Sequence, residues 1–425
     1  MDLGLAKGTR DLFPADKILR DTILRTLIDT FQTYGFNPLD TPIIERLDVL
    51  QRKAMANDDV AKEQFTLTDQ GNRQLGLRFD LTVPFARFIG MNSKTLKLPF
   101  KRYQIGEIFR DGPIKLGRYR QFTQCDADIC GVADPIADAE LLQLLQTAFK
   151  KLKLDVTIKL NNRKLVDALL DTVGIQQGKR NDVMLALDKI VKYGIDVVYK
   201  ELQDKGIGDA TIQRLFEIVL VKGTNENKIA FLATQLQNTE GLEEIKRILT
   251  LTPGITFDIS LMRGLSYYTG PIFEVTLNDS RLTSSLAGGG RYDTLIGEFI
   301  GGETIPATGI SFGLDTICDA FTIQGKAPGT QSVCQVYIIP IKTLERSFEI
   351  ASILRKKEIA ADIDLLGKGI SKNLDYANKL GIPYVLIIGK QELDQGKVKL
   401  RDMKSGKEQL LTVEEVCEAL SAHSS

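Results

Sequence analysis

Residues 263–270 combine side chains that are suited to binding a charged ligand. Arg263 is followed by two adjacent tyrosines, Tyr267 and Tyr268, and an apolar run at residues 271–275 lies directly behind. In an extended strand, adjacent tyrosines point to opposite faces, so one can line a pocket while the other packs beneath it. An arginine beside aromatic residues is more often structural than functional when it stands alone. Its assignment therefore depends on the other polar clusters of the chain.

Three further clusters have the composition of binding sites, and they occupy residues 78–84, 109–128 and 287–293. Each also has a plainer interpretation. Asp80 and Thr82 fit the exposed face of a strand equally well, and Arg110 is compatible with ordinary surface charge. The glycine triplet at 288–290 is compatible with a simple turn, because glycine-rich runs often resemble phosphate loops by chance.

Taken together, the clusters favour a pocket for a nucleoside triphosphate and an amino acid. Three permanently charged guanidinium groups suit phosphates and carboxylates, and they belong to Arg110, Arg118 and Arg263. Asp80 and Asp128 supply negative charge for an ammonium or imidazolium group. Phe122 supplies a ring on which a base can stack.

Composition excludes several kinds of chemistry. Lysine plus arginine equals aspartate plus glutamate at 55 each, so bulk charge gives no signal for nucleic acid. The single histidine, His423, lies at the end of the chain, which leaves no imidazole for a catalytic dyad or a metal site. Five scattered cysteines without a close pair favour neither a zinc site nor disulfides. With no long apolar run, we expect a cytoplasmic protein.

The elements that must position these residues follow from periodicity. Apolar spacing predicts an amphipathic helix over residues 16–34 and a second helix over residues 138–152. Short β-type runs over residues 65–83 and 100–131, separated by glycine and proline, predict an antiparallel sheet. The pattern then becomes almost wholly helical until the β signal resumes at Thr256.

The same pattern predicts the domain organisation. Residues 1–325 form an α+β domain on an antiparallel sheet, with a helical insertion at about 162–249. Residues 326–331 have the composition of a linker. Residues 332–425 form a C-terminal α/β domain, in which strands and helices alternate over 333–340, 344–357, 361–365, 372–380 and 384–389.

In this order, the clusters resemble the histidyl-tRNA synthetase family of class II aminoacyl-tRNA synthetases. The resemblance begins with an opening signature at residues 7–11 and continues with the dimer-forming motif 1 at 35–45 and motif 2 at 109–128. Residues 263–270 and 287–293 resemble stretches peculiar to the histidine enzymes. The helical insertion and the C-terminal domain, which resembles an anticodon-binding module, extend the similarity through essentially the whole chain.

The resemblance implies roles for the histidine site. Its histidine-binding residues are Asp80, Leu81, Thr82, Arg110, Gln124, Asp128, Arg263, Tyr267 and Tyr268. Asp80, Thr82 and Gln124 are expected to hold the α-amino group. Asp128 and Tyr268 are expected to recognise the imidazole, with Tyr267 shaping the pocket.

For catalysis, the resemblance implies that Arg110 and Arg263 act on the reacting groups. Arg110 bridges the histidine carboxylate and the ATP α-phosphate, while Arg263 stabilises the charge that develops there. Arg118 is expected near the outer phosphates and Phe122 under the adenine. Magnesium is expected to arrive with ATP, so no protein side chain is assigned to a metal.

The resemblance also implies partners: tRNA(His), L-histidine, ATP and a second copy of the chain, since the family forms homodimers. Lys115 is expected to lie near the tRNA acceptor end. Arg355, Lys356 and Lys372 are candidates for anticodon contact. Because residues 327–425 carry 14 Lys and Arg against 13 Asp and Glu, these three positions fit a solvated helix face equally well.

The chain departs from the family pattern in motif 3, residues 306–316. The family has arginine where this chain has Thr316, and that arginine is expected to bind the γ-phosphate of ATP. Ser266 replaces a common acidic residue, and Asp111 lies one position earlier than the acid of many class II enzymes. Three interpretations stay open: an active ligase in which a cation such as Arg291 compensates, a weakened paralogue, or a regulatory sensor of histidine or tRNA.

Overall fold

The structure is a computed structural model that describes residues 3–52, 63–114, 119–262, 267–327 and 329–421, apart from the side chains of residues 191 and 192. The chain divides into two compact units. The first comprises residues 1–10 and 23–325, and the second comprises residues 11–22 and 326–425.

The first half of the described chain contains four helices and seven strands up to residue 162. The helices are α1 (Pro14–Thr33), α2 (Leu47–Leu50), α3 (Thr82–Asn92) and α4 (Ile136–Lys151). The strands are β1 (Asn37–Pro38), β2 (Ile44–Arg46), β3 (Thr66–Thr68), β4 (Gln74–Leu77), β5 (Phe100–Phe109), β6 (Gln121–Cys130) and β7 (Val156–Asn162). The helices predicted at 16–34 and 138–152 are thus confirmed as α1 and α4.

The helical block follows β7 and is confirmed. Its helices are α5 (Arg163–Thr172), α6 (Arg180–Leu187), α7 (Ile190–Tyr193), α8 (Ile195–Asp204), α9 (Asp209–Val219), α10 (Asn225–Gln235) and α11 (Glu240–Leu251). Apolar residues at helical spacing are fully buried, as at Ile212, Leu215 and Ile218 of α9. The first unit then continues with β8 (Thr256–Phe257), β9 (Pro271–Leu277), β10 (Ala287–Arg291), β11 (Ala307–Gly313) and α12 (Leu314–Ile323).

The main sheet has eight strands in the order β1-β5-β6-β11-β10-β9-β7-β8. Its six central strands are antiparallel, and only the short edge strands β1 and β8 pair in parallel. The expected antiparallel α+β fold is therefore confirmed. Hairpins and returning strands from distant parts of the sequence meet in this sheet, which places motif residues side by side.

One face of this sheet is packed by aromatic side chains around the end of α1. Phe31 is fully buried, and its ring lies 5.3 Å from that of Tyr103 and 5.8 Å from that of Phe312. These rings belong to a helix and to two strands, β5 and β11. They fix the helix against the sheet through the burial of apolar area.

The second unit contains its own five-stranded sheet in the order β13-β12-β14-β15-β16. The strands are β12 (Val336–Pro340), β13 (Ala361–Ile363), β14 (Tyr384–Ile388), β15 (Val398–Asp402) and β16 (Glu408–Leu411). The helices are α13 (Leu344–Lys356), α14 (Ile370–Lys379), α15 (Lys390–Asp394) and α16 (Val413–Ser421). Separate apolar clusters contain Ile338 and Ile339, so both faces of β12 are covered, as expected of an α/β domain.

Candidate active site

The candidate site lies on one face of the main sheet, where β6 meets β5 and β11. Residues at alternate positions of a strand share a face, so Phe122, Gln124, Asp126 and Asp128 of β6 lie in one row. Asp128 is paired in register with Arg102 of β5 on one side and with Gly309 of β11 on the other. The strand pairing therefore places the Arg102 cation on one side of the Asp128 carboxylate and Gly309, which has no side chain, on the other.

Glycines leave space beside Asp128. Gly309 pairs with Gly290 of β10, and both positions are buried. A Cβ atom on Gly309 would collide with the Asp128 carboxylate. A Cβ atom on Gly290 would lie 3.0 Å from the ring of Tyr268 and 2.6 Å from the carbonyl oxygen of Pro271. The glycine triplet is thus part of a central strand, and its interpretation as a turn is wrong.

Three tyrosines pack together next to this glycine pair. Tyr267 and Tyr268 precede β9, outside any strand, and their ring centroids are 4.9 Å apart in an edge-to-face arrangement. Tyr292 follows β10, and its ring lies 6.0 Å from that of Tyr267. Both adjacent tyrosines therefore join one buried cluster, and the expectation that strand alternation separates them is wrong.

The hydroxyl of Tyr292 donates a hydrogen bond to Oδ1 of Asp128. Burial raises the pKa of Asp128, while the Arg102 charge and the Tyr292 hydrogen bond lower it. Burial likewise raises the pKa of Asp126 to about 7, again opposed by Arg102. Two acids and one cation therefore share a water-excluded region, in which a bound ligand with N–H donors or positive charge stabilises the ionised carboxylates.

Residues 78–82 approach the same face from the start of α3. The Asp80 carboxylate accepts a hydrogen bond of 3.0 Å from the backbone N–H of Val83, as an acid near a helix N-terminus commonly does. Thr82 begins the helix, so the alternative of a strand face at Asp80 and Thr82 is wrong. The carbonyl oxygen of Leu81 accepts a hydrogen bond of 3.2 Å from Arg102. Asp80 and Leu81 are thereby placed near the row on β6.

Arg110 lies at the other end of the row. Its Nε donates a hydrogen bond of 3.0 Å to the carbonyl oxygen of Phe79, and its guanidinium carbon lies 5.3 Å from the centroid of the Phe122 ring. Between this pair and Asp128 lies Gln124, whose Oε1 is buried and has no hydrogen-bond partner among the described residues. A buried amide oxygen without a partner is suited to accept from a ligand amine.

Near motif 3, Thr316 lies in the first turn of α12 and is buried. The carboxylate of the preceding residue, Asp315, forms an ion pair with Arg10 and accepts a hydrogen bond of 3.0 Å from the backbone N–H of Thr123. The Arg10 guanidinium also lies 3.9 Å from the centroid of the Tyr119 ring. A guanidinium from the N-terminal signature is thus bound to the residue that precedes the position where the family pattern has arginine.

Arg291 has a different environment. It is buried and donates from Nε to Asp138 at 3.1 Å and from Nη1 to the carbonyl oxygen of Val132 at 2.8 Å. Since residue 291 neighbours Gly290 on the strand, its side chain lies on the opposite face of the sheet from the candidate site. The interpretation that Arg291 compensates for Thr316 is therefore wrong.

The structure does not test every predicted site residue. Lys115, Arg118, Arg263 and Ser266 lie outside the described residues. Arg355, Lys356 and Lys372 are exposed on α13 and α14 of the second unit, as either a contact patch or a solvated face requires. Within the described ranges, no group of three or more His, Cys, Asp or Glu side chains could hold a metal ion. No helix there has the length and apolarity needed to cross a membrane.

Sequence reasoning missed four residues that the structure places at or near the site: Arg10, Arg102, Asp126 and Tyr292. Asp126 and Tyr292 lie inside the clusters at residues 109–128 and 287–293, and the alternation of β6 places Asp126 on the same face as Asp128. The sequence does not indicate a role for Arg102, because its pairing with Asp128 depends on the register of β5 and β6.

Comparison with known proteins identifies relatives of both units. The family described as "Histidyl-tRNA synthetase" matches residues 8–317, and the family described as "Anticodon binding domain" matches residues 335–423. A curated protein of Bacillus cereus named "Histidine--tRNA ligase 1" is 42% identical over 417 residues, which cover 96% of this chain and 95% of the relative.

Solved structures support the same relationship. The crystal structure of histidyl-tRNA synthetase from a Nostoc species has a TM-score of 0.88 at 27% identity and covers 100% of both chains. A Bacillus halodurans structure titled as an ATP phosphoribosyltransferase regulatory subunit/histidyl-tRNA synthetase has a TM-score of 0.75 at 22% identity. It covers 91% of this chain and 98% of its own, and the likeness concerns the fold alone.

Proposed function

Because the chain belongs to the histidyl-tRNA synthetase family, we propose that the sheet face around Asp128 is where it binds histidine for activation. The protein is an aminoacyl-tRNA synthetase, a histidine–tRNA ligase that uses ATP to join histidine to tRNA. One observation carries the proposal: a buried carboxylate, Asp128, beside a glycine pair and a cluster of three tyrosines.

In this proposal, Asp128 accepts an N–H of the imidazole, and Tyr268 contacts the ring across the glycine pair. Gly290 and Gly309 support this placement, because they let Tyr268 and the Asp128 carboxylate lie close against the sheet. Tyr267 shapes the pocket by packing against Tyr268.

The α-amino group of histidine is bound by Asp80, Thr82 and Gln124, with the backbone of Leu81 completing the site. Two observations support this part: Asp80 is almost fully buried, and Gln124 has a buried carbonyl oxygen available. A charge-assisted hydrogen bond to a buried carboxylate favours the ammonium form of the ligand.

Activation needs no nucleophile from the protein, because the substrate carboxylate itself attacks the α-phosphorus of ATP. The new bond gives histidyl-adenylate, and diphosphate leaves. A hydroxyl at the 3′ end of the tRNA then attacks the acyl carbon and releases AMP. Arg110 and Arg263 stabilise the charge that develops at the α-phosphate, while Arg118 binds the outer phosphates and Phe122 supports the adenine. The packing of Arg110 against Phe122 supports their shared role.

Magnesium belongs to the proposal as an ion that enters with ATP. The phosphate oxygens would supply its main ligands, since Mg²⁺ is commonly bound by substrate phosphates and water with few protein groups. The ion supplies charge neutralisation on the phosphates, beside the fixed guanidinium groups of the chain.

The remaining partners are also proposals. The tRNA(His) acceptor end lies near Lys115, and the anticodon contacts the second unit near Arg355, Lys356 and Lys372. The domain division is 1–325, with the helical insertion at about 162–249, then 326–331 and 332–425. The family matches at residues 8–317 and 335–423 support it. We also propose a cytoplasmic location, where tRNA charging serves translation.

A homodimer forms through the first domain in this proposal. The segment that resembles motif 1 contains Ile43 and Ile44, whose exposed fractions are 42% and 50%. Apolar side chains exposed in this way are typical of a surface that a partner covers. Light scattering on the purified protein checks this part, and a monomer at micromolar concentration contradicts it.

Histidine-dependent ATP–diphosphate exchange tests the central proposal. We expect exchange with L-histidine and none with other amino acids, followed by charging of tRNA(His). The comparisons favour the ligase over a regulatory sensor, because a curated ligase is 42% identical over 96% of this chain. An intact protein that binds histidine but shows no exchange would instead support the sensor.

A further inference from the structure

Arg102 is a fully buried cation that no motif of the chain explains. Its side chain is 0% exposed and lies on β5, in register with Asp128. Nη2 lies 2.8 Å from Oδ2 of Asp128, and the guanidinium carbon lies 4.4 Å from the centroid of the Phe85 ring. Burying a guanidinium costs free energy that an apolar residue at this position would avoid.

Arg102 makes few hydrogen bonds, so it acts on Asp128 through its charge more than through hydrogen bonding. Nη2 donates to the carbonyl oxygen of Leu81 at 3.2 Å, while Nε and Nη1 have no hydrogen-bond partner among the described residues. A guanidinium that served only to fasten the fold would be expected to use more of its five N–H donors. Its contribution at Asp128 is therefore mainly electrostatic.

The two oxygens of Asp128 have different environments. Oδ1 accepts the hydrogen bond of Tyr292. Oδ2 is buried and close to Arg102, yet it accepts no aligned hydrogen bond from any described residue. A buried carboxylate oxygen in this state has lone pairs available for a ligand N–H.

We propose that Arg102 is a specificity-determining residue, which keeps Asp128 ionised so that Oδ2 can accept a hydrogen bond from the imidazole N–H of histidine. The inference rests on the proposed histidine site. An ionised carboxylate accepts a hydrogen bond from an imidazole N–H and attracts an imidazolium, whereas a protonated carboxyl group has no charge and donates its O–H to the bare nitrogen of a neutral imidazole. Arg102 thus acts through Asp128 as a positioning residue and does not need to contact the substrate.

Several charged or titratable groups surround Asp128 and influence its ionisation. Asp126 and Cys130 belong to β6, Arg102 belongs to β5, and Tyr292 follows β10. Asp80, which precedes α3, influences Asp126. Burial raises the pKa of Asp128, and Arg102 is the largest influence that lowers it. Loss of the cation therefore shifts the ionisation of Asp128 to higher pH.

The test compares Arg102→Gln, which removes the charge, with Arg102→Lys, which keeps it. For the glutamine variant we expect the KM for histidine at pH 7 to rise roughly tenfold to a hundredfold, while the KM for ATP stays near wild type. The ratio of variant to wild-type KM should fall as pH rises from 6 to 9, because Asp128 regains its charge. Division by the wild-type value removes the titration of histidine itself.

For the lysine variant we expect a smaller rise in KM and a ratio that changes little with pH. The inference is overturned if both variants behave alike, or if the glutamine ratio is independent of pH. If Arg102→Gln fails to fold, Arg102→Lys provides the test. The inference is then overturned if the ratio of the Arg102→Lys KM to the wild-type KM varies with pH as strongly as we expect for Arg102→Gln. Absence of histidine-dependent exchange in the wild type overturns the proposed function itself, so the two failures are distinguishable.

Discussion

The guanidinium of Arg10 forms an ion pair with the carboxylate of Asp315. Asp315 also accepts the backbone N–H of Thr123, so the N-terminal signature, motif 2 and motif 3 meet at one carboxylate. Thr316 follows immediately in the first turn of α12. Arg10 is therefore a cation bound to the residue that immediately precedes the position where the family pattern has arginine.

We predict that Arg10→Gln raises the KM for ATP by roughly tenfold, because a charge-assisted hydrogen bond contributes about 1.5 to 3 kcal/mol. The KM for histidine should change much less. ATP–diphosphate exchange at varied ATP concentration measures the effect. Arg46→Gln is a matched control, since Arg46 is an exposed arginine that pairs with Asp48. Equal behaviour of the two variants would show that Arg10 only fastens Asp315.

The sequence was sufficient to predict the family, the antiparallel sheet and most of the proposed pocket, because short motifs keep their order and residue types. Such motifs predict Asp128 and Tyr268 as pocket residues. The hydrogen bond between Tyr292 and Asp128 could not be predicted, since it joins residues 164 positions apart through strand pairing. Glycines 288–290 are compatible with a turn in the sequence, because the close approach of Gly290 to Tyr268 exists only in the assembled sheet. Arg291 has the residue type of a ligand-binding cation, and the sequence does not indicate its partner Asp138, which lies 153 positions away.

Asp128→Asn should weaken histidine binding far more than ATP binding. Asparagine keeps the size of the side chain and can still accept from Tyr292, but it removes the negative charge that attracts the imidazole N–H. We expect the KM for histidine to rise at least about tenfold, as the loss of a charged hydrogen bond implies. Exchange kinetics with each substrate varied in turn provide the measurement. Asp48→Asn, at an exposed ion pair, serves as the control, and a parallel rise in both KM values would argue against a role specific to histidine.

Arg263→Ala should strongly slow adenylate formation with little loss of the fold. The expectation rests on the proposed role of its permanent charge at the α-phosphate, where removal of one stabilising group costs about a hundredfold to a thousandfold in kcat. Single-turnover formation of histidyl-adenylate measures the chemical step directly. Arg281→Ala is the control, because Arg281 is exposed and pairs with its sequence neighbour Asp279. Near-normal exchange by Arg263→Ala would remove this arginine from the mechanism.

Arg291→Met should destabilise the first unit in a manner that depends on pH. Burial raises the pKa of Asp138 to about 6, and Arg291 opposes that rise. The pKa of Asp138 is higher in the folded protein than in the unfolded protein. Between these two pKa values the folded protein holds a proton that the unfolded protein has released, so the free energy of unfolding falls as pH rises. Without Arg291 the pKa of Asp138 rises further, so the free energy of unfolding continues to fall above pH 6.

The expected loss is therefore small at pH 5, where Asp138 is largely protonated in the folded protein. Between pH 6 and pH 8 the loss should grow by about 1.4 kcal/mol for each pH unit, to about 2 to 3 kcal/mol at pH 8. Urea denaturation at pH 5, 6, 7 and 8 measures the trend. Arg281→Met, which breaks the exposed pair with Asp279, should show little loss at any of these pH values. A loss for Arg291→Met that is equal at pH 5 and pH 8 would show that the packing of the side chain, rather than its charge, stabilises this region.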